Sequence, residues 1–173
     1  MDTDQKMKIL KERARQFAGV KEEQLIGGET LSGLNILLSE ETYILDSRYV
    51  VEVLPLTEFT SLPCTPSFVQ GIINVRGRIL SLINMKKILN LPEQGITNLN
   101  RVVVVKHEDI ELGLLADDVS GYNTVITNNL QKELPTFSPA QKEFVTGITP
   151  NGEIVFNLKS FLTSSKIVIN EEV

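Results

Sequence analysis

Few side chains in this sequence are spaced for catalysis or for metal binding. Asp117 and Asp118 are adjacent, and adjacent strand residues project to opposite faces, so we expect a solvated strand end and no shared cation. Cys64 is the one cysteine and His107 the one histidine, too few for a Cys/His zinc site, and their separation leaves a thiolate without a base. Cys64 is therefore predicted to be a small buried hydrophobic residue. No catalytic residue, bound metal or cofactor is expected.

Arg76 and Gly77 are better candidates for a functional site, because they suit contact with another protein. They lie in the sequence Val-Arg-Gly-Arg, where the glycine can adopt the positive φ of a tight turn and leave the guanidinium projecting. A guanidinium is a planar fork of donors that pairs specifically with a carboxylate or with carbonyl groups across an interface. The alternative is an ordinary solvated arginine at a turn.

Three further residues, on two predicted strands, are candidates for the same role. Val50 and Glu52 lie two apart and should share one face of a strand, with Val51 and Val53 on the other. The charge of Glu52 favours exposure of its own face, so Val50 is predicted to be exposed beside it. A plain exposed strand explains this pair equally well. Val119 is a weaker candidate, because a role as a buried core residue is the better explanation for a valine at this position.

The composition restricts the kinds of partner. The sequence is 42% hydrophobic and 23% charged, which is ordinary for a folded protein. Its 173 residues suit a single domain, or one domain built of two small lobes. The net charge is −5, and the chain after residue 23 carries 11 basic and 17 acidic side chains. An acidic body argues against a partner bound through its phosphates. The longest apolar runs are only strand-length, so we expect a cytoplasmic protein with neither membrane span nor secretory signal.

The N-terminal part differs from the rest. Residues 4–18 contain neither Gly nor Pro and place apolar side chains at helical spacing, which predicts one long amphipathic helix. Residues 6–15 carry five cations and one anion, a pattern of membrane-surface helices, although packing on the protein itself or on a partner helix is the more common use. Residues 21–33 read as a Gly-rich linker. The predicted division is therefore 1–33 for helix and linker, and 34–173 for the folded domain.

The folded domain is predicted to be mainly β. Nine short β-rich runs separated by turns follow Leu34, which indicates a sandwich or a barrel. Short helices are expected after Thr65-Pro66 and after Ser138-Pro139, where a hydroxyl residue precedes proline at the first helical position. Gln141 completes a capping box with Ser138.

An internal repeat sets the architecture. Residues 68–89 and residues 144–162 share Phe-Val-x-Gly-Ile, a Gly turn, an apolar strand and Asn-(Met/Leu)-Lys, in the same order. Upstream, the strand pair around Tyr43 to Leu54 likewise resembles the pair around Ile110 to Ile126. Two copies of roughly 75 residues are too few and too long for a solenoid, whose repeats run about 20 to 50 residues, so they predict two similar small β-barrels side by side. The sequence leaves open whether strands are exchanged between them. Phe68 and Phe144 are predicted to be equivalent buried anchors.

These motifs resemble the CheW family. The segment LPCTPSFVQGIINVRGRILSLINMKKIL (62–89) is similar to its signature, YILDSRYVVEVLPL (43–56) to the strand before it, and LGLLADDVSG with FVTGI to its second half. The resemblance covers about residues 34–162 and implies two five-stranded SH3-like barrels packed on a shared hydrophobic seam. It implies a non-catalytic adaptor with one face for a chemoreceptor tip and one for the regulatory domain of a CheA-type histidine kinase.

The resemblance also assigns candidate partner-binding residues: Val50, Glu52, Arg76, Gly77 and Val119. The chain departs from the family by having Ser81 and Asn84 where Pro and Asp are common, and asparagine caps helices about as well as aspartate. The alternative function is a β-barrel nucleic-acid-binding module. The acidic body, the lack of tryptophan and only three tyrosines argue against it, because stacking platforms need aromatic rings and cations together.

Overall fold

The protein is mainly β, as predicted. The computed structural model describes residues 5, 7, 8, 29–93, 95–97, 99–132, 135–165 and 167. The predicted N-terminal helix lies outside the described residues, apart from Gln5, Met7 and Lys8, which are exposed. The described strands are β1 (Thr30–Leu38), β2 (Glu41–Asp46), β3 (Val50–Pro55), β4 (Val69–Val75), β5 (Arg78–Asn84), β6 (Arg101–His107), β7 (Ile110–Ala116), β8 (Asp118–Ile126), β9 (Val145–Ile148) and β10 (Ile154–Phe156).

The helices in this described part are short: α1 (Met85–Ile88), α2 (Pro139–Phe144) and α3 (Leu158–Thr163). The capping box at α2 is confirmed, with Gln141 N donating to Ser138 Oγ at 3.2 Å and Ser138 N donating to Gln141 Oε1 at 2.9 Å. The helix predicted after Thr65-Pro66 is wrong. Val69 already begins β4, so the chain has room only for a tight turn, closed by Val69 N donating to Pro66 O at 3.0 Å.

The strands form two five-stranded sheets, and the two copies of the repeat exchange strands between them. The first sheet has the order β8-β1-β2-β10-β9 and the second has the order β3-β6-β7-β5-β4. Since β1–β5 belong to the first copy and β6–β10 to the second, each sheet takes two strands from one copy and three from the other. The chain leaves the first sheet between β2 and β3 and returns to it between β7 and β8. This settles the question of exchange that the sequence left open.

The strand pairing confirms two five-stranded units but does not confirm that they close into the predicted SH3-like barrels. In the part of the chain that is described, the segment after one edge strand of each sheet meets the opposite edge strand at a single isolated bridge, Thr60↔Ile72 in the second sheet and Gln131↔Ile148 in the first. A side chain at Gly71 would meet Thr60 O at 2.2 Å, and one at Gly147 would meet Leu130 Cβ at 2.7 Å. The repeated glycine of Phe-Val-x-Gly-Ile therefore lets the sheet edges approach each other.

The main hydrophobic core lies between the sheets and is shared by them. It includes Leu34, Ile36 and Leu45 of the first sheet with Val103, Val105 and Leu114 of the second. A smaller cluster covers the other face of each sheet; Val102 and Val104 belong to that of the second. Since side chains alternate along a strand, the unbroken run Val102–Val105 is buried on both faces. This confirms the hydrophobic seam that the resemblance implied.

The repeat is visible in the backbone around Phe68 and Phe144. Asn84 N donates to Phe68 O, and Asn157 N donates to Phe144 O, each at 2.7 Å. Asn84 and Asn157 then cap α1 and α3 with their side-chain oxygens, which confirms that asparagine serves as a cap here. The two phenylalanines thus hold the same place in the two copies.

Their burial is unequal, which corrects the prediction of equivalent anchors. Phe144 is 2% exposed and packs against the rings of Phe156 and Phe161, with centroid separations of 6.0 and 5.4 Å. Phe68 is only half-buried at the edge of the main core. Deleting a ring costs least where neighbouring water can fill the space.

We therefore expect Phe144→Ala to lower the free energy of unfolding by about 3 to 5 kcal/mol and Phe68→Ala by about 1 to 2 kcal/mol. Urea unfolding followed by circular dichroism measures both. Equal losses at the two positions would contradict the difference in burial.

A polar network joins β2 to α2 beside the main core. The Tyr43 hydroxyl donates to Glu41 Oε2 at 2.6 Å and accepts from Gln141 Nε2 at 3.0 Å. Burial, followed by the hydrogen bond to Glu41, raises the pKa of Tyr43 well above its ordinary value. The ring therefore stays neutral in the folded protein at pH values where the unfolded chain ionises.

This raised pKa predicts a pH dependence of stability. The stabilising contribution is fully present below the unfolded pKa of about 10 and is lost as the pH rises above it. Tyr43→Phe should cost about 1 kcal/mol at neutral pH, from the lost hydrogen bonds, and should weaken the alkaline fall in stability. Urea unfolding between pH 7 and pH 11 tests this, with the exposed Tyr122→Phe as control. An unchanged alkaline fall in Tyr43→Phe would refute the assignment.

Candidate partner-binding surface

The predicted tight turn at Arg76 and Gly77 is confirmed as the two-residue hairpin loop between β4 and β5. Val75 pairs with Arg78, and the residues between them have positive φ, 52° for Arg76 and 85° for Gly77. Positive φ at both positions is typical of a type I′ turn, which matches the twist of the strands it joins. Asn74 Oδ1 accepts a hydrogen bond from Gly77 N at 2.9 Å. The loop therefore presents Arg76 in a fixed backbone geometry.

The Arg76 side chain pairs with Glu52, which joins two candidates that lie far apart in sequence. The distance from Arg76 Nη2 to Glu52 Oε2 is 3.1 Å, and the two side chains are 77% and 17% exposed. β3 and β4 are the two edges of the second sheet, so this ion pair links the tip of the hairpin to the opposite edge. Glu52 orients a guanidinium that remains largely open to a partner.

The predicted exposure of Val50 is wrong because β3 contains a bulge. Val50 pairs with Val105 and Glu52 pairs with Val104, so two residues of β3 oppose one step of β6. The extra residue breaks the alternation on which the prediction relied. Val50 and Val53 both pack against the main core, and Val51 is 49% exposed instead. A bulge leaves no signature in this valine-rich run, so sequence reasoning missed Val51.

Further exposed groups lie on the same hairpin and strand. Ile79, on β5, is among the most exposed large apolar residues of the described chain, and its neighbour Arg78 forms an ion pair with Glu111 on β7. Two arginine–glutamate pairs and two exposed apolar side chains, Val51 and Ile79, thus occupy this sheet. Apolar contacts flanked by oriented charges are suited to binding another protein.

Val119 is not brought to this hairpin. It lies on β8 of the first sheet, pairs with Ile36 and is half-buried against the main core, which fits the core role that the sequence favoured. The first sheet has its own polar link, in which Asn123 Nδ2 of β8 donates to Glu153 Oε2 before β10 at 3.1 Å. Asn123 lies on an edge strand, as Glu52 does, and Glu153 lies in the hairpin between β9 and β10, so this hairpin carries a carboxylate where that of the second sheet carries a guanidinium.

Two predictions about the remaining reactive side chains are corrected. Cys64 is exposed, not buried, and has a φ of 59° in the turn that follows Pro63. Asp117 is half-buried and hydrogen-bonded, whereas Asp118 is exposed, so only the second is a solvated strand end. In the described ranges of the chain, no group of three or more His, Cys, Asp or Glu side chains is arranged to hold a metal ion.

Two five-stranded sheets that exchange strands define the class of fold, and the comparisons with known proteins specify the family. The CheW-like domain family matches residues 32–164. Because this match covers most of the chain, the protein belongs to the CheW-like family. None of the described helices is long and apolar enough to cross a membrane.

Individual relatives agree with this membership. The chain is 28% identical to the protein PilI of Pseudomonas aeruginosa over 137 residues, 79% of this chain and 77% of that protein. It is 26% identical to the chemotaxis protein CheW of Treponema pallidum over 149 residues, 82% of this chain and 88% of that protein. The crystal structure of the scaffolding protein TtCheW from Thermoanaerobacter tengcongensis is similar with a TM-score of 0.65 and 30% identity, over 74% of this chain and 89% of that one.

The geometry of the Arg76–Glu52 pair predicts its energy. Because the guanidinium is mostly exposed, a double-mutant cycle of Arg76→Ala and Glu52→Ala should give a coupling energy of no more than about 1 kcal/mol in the isolated protein. Thermal or urea unfolding of the four variants measures it. A coupling of several kcal/mol would show that the pair holds the sheet together and is not mainly a surface feature.

Proposed function

We propose that the protein is a non-catalytic cytoplasmic adaptor that couples chemoreceptors to a CheA-type histidine kinase. One surface would bind the regulatory domain of the kinase, and a second would bind the cytoplasmic tip of the receptor. The adaptor would act by holding both partners in one geometry, so that a signal passes as a change in contacts. Membership of the CheW-like family supports this proposal, as do the scaffolding and chemotaxis functions in the names of its relatives.

The observation that carries the proposal is the meeting of Glu52, Arg76 and Gly77 at one hairpin. Glu52 comes from a different family motif than Arg76 and Gly77, and the ion pair joins the two motifs across the two edges of the second sheet. A turn arginine needed only for solubility requires no acidic partner on another strand. An arginine pre-oriented by a carboxylate loses less conformational entropy when it binds, which favours an interface role.

A difference in charge between the two sheets supports separate surfaces for the two partners. The hairpin of the second sheet presents a guanidinium, whereas the corresponding hairpin of the first sheet, between β9 and β10, carries the carboxylate of Glu153, which accepts a hydrogen bond from Asn123 on β8. Surfaces that share a shape but differ in charge select different partners, because charge complementarity contributes more to specificity than to affinity. We therefore assign the kinase and the receptor to distinct surfaces and include Val50 and Val119 only as core support beneath them.

The first test is binding to the kinase. Purified protein should bind the regulatory domain of its CheA-type kinase with micromolar affinity, corresponding to roughly −8 kcal/mol. Arg76→Glu should remove the desolvated pairing between Arg76 and the partner and place a repelling charge there. The expected cost is about 2 to 5 kcal/mol in the free energy of association with the partner or of kinase–receptor coupling. Calorimetry with the kinase domain, and kinase assays in a reconstituted mixture with receptor, measure the two effects.

Matched variants separate function from folding. Arg76→Ala removes the guanidinium without placing a second carboxylate beside Glu52, and Lys106→Glu makes the same charge change at another exposed position of the second sheet. The melting temperature of each variant should stay close to that of the wild type. A folded Arg76→Glu protein that still couples kinase to receptor would refute the role of this surface. Salt-sensitive binding to an oligonucleotide, with no kinase complex, would favour a nucleic-acid module instead.

A further inference from the structure

Asp117 is the one residue at which the chain passes from the second sheet back to the first. β7 ends at Ala116 and β8 begins at Asp118, so nothing else separates strands of different sheets. The other passage, from β2 to β3, is longer and contains a short 3-10 turn at Ser47–Tyr49. Because only one residue separates the two strands, the direction of β8 depends closely on the direction of β7. The contacts that Asp117 makes therefore contribute to this orientation, beside the core that the two sheets share.

Those contacts come from both sheets. On the side of the first sheet, Asp117 N donates to Leu37 O at 2.9 Å, and Ser39 N donates to Asp117 Oδ2 at 2.7 Å. On the side of the second sheet, Lys86 Nζ donates to Asp117 Oδ1 at 2.8 Å, and Asn100 Nδ2 donates to the same oxygen at 3.3 Å. One carboxylate thus binds the β1–β2 turn, α1 and the segment that precedes β6.

The chemistry of this junction differs from that of a surface ion pair. The Lys86 side chain is 4% exposed and the Asp117 side chain is 23% exposed. Burying an ammonium group costs so much hydration that such a pair contributes little net stability, but its strict geometry disfavours other arrangements. The aspartate at the other passage, Asp46, instead binds its near neighbour Arg48, whose side chain is 75% exposed. The Asp46–Arg48 pair is therefore a local contact within the passage and does not connect the two sheets.

We propose that Lys86 and Asp117 are positioning residues that fix the angle between the two sheets, and with it the angle at which the two partner surfaces are presented. This inference rests on the proposed adaptor function. A rigid adaptor holds its two partners at a high effective concentration relative to each other. A flexible adaptor lowers that effective concentration without changing either binding surface. Loss of the pair should therefore reduce receptor-dependent control of the kinase and leave the affinity for each separate partner unchanged.

The first experiment needs no partner. Spin labels at Thr124→Cys on β8 and Lys106→Cys on β6, in a Cys64→Ser background, report the distance between the sheets by double electron–electron resonance. Lys86→Met with Asp117→Ala removes both charges together, so that no unpaired buried ion remains. The distance distribution should broaden or shift, while the exposed neighbour variant Asp118→Ala should leave it unchanged. A distribution identical to that of the parent would overturn the proposal.

The second experiment uses the kinase and the receptor. In the Lys86→Met/Asp117→Ala variant, the affinity for each partner alone should match the wild type, and receptor-dependent control of the kinase should fall about tenfold or more. In the same Lys86→Met background, Asp117→Asn in place of Asp117→Ala keeps an acceptor for Ser39 N and should restore part of that control. If the double variant does not fold, Lys86→Met alone, which leaves the Ser39 and Asn100 bonds to Asp117, takes its place in both experiments.

The outcomes separate the two proposals. If the wild-type protein binds neither partner, the adaptor function fails, and the label distances still decide whether the pair fixes the sheets. If both partners bind and the variant couples them as the wild type does, the positioning role is wrong and the adaptor function stands. Weakened binding to a single partner in the variant would likewise contradict positioning, because it would place the pair within that binding surface.

Discussion

The exchange of strands between the two sheets is the constraint on which the rest of the structure depends. Each sheet needs strands from both copies of the repeat, so neither copy can complete a five-stranded sheet by itself. The shared core follows from this, because strands that cross between sheets carry apolar residues to the same seam. Folding therefore requires contacts between distant parts of the chain, which is expected to be slow relative to local hairpin formation.

The same constraint explains which residues the repeat preserves. Glycines 71 and 147 stand where the edges of a sheet approach each other, and asparagines 84 and 157 begin the short helices after the last strand of each copy. These positions serve the backbone, so both copies keep them. The side chains at the hairpin tips serve no such need, and there the copies differ: Arg76 pairs with Glu52, and Asn123 pairs with Glu153.

Sequence reasoning predicted the features that depend on local pattern and failed where a distant contact decides. The strand content, the capping box at Ser138, the tight turn at Gly77 and the asparagine cap follow from short-range chemistry and are confirmed. The prediction that Val50 is exposed is wrong because a bulge shifts the register, and the prediction that Cys64 is buried is wrong because its turn lies at the surface. The pairing of Arg76 with Glu52 and the burial of Lys86 depend on which strands become neighbours, which the sequence left undecided.

Asp117 shows most clearly how a residue's role follows from topology. From its neighbours in sequence it is one of two adjacent carboxylates at the end of a strand, and Asp118 remains just that. Because the chain changes sheets at this residue, Asp117 meets an amide of the first sheet and a buried ammonium of the second. The two carboxylates differ in nothing that composition or spacing can register. Their difference arises only when the two copies of the repeat combine, so the residue that joins the two sheets is also the one that local pattern describes least well.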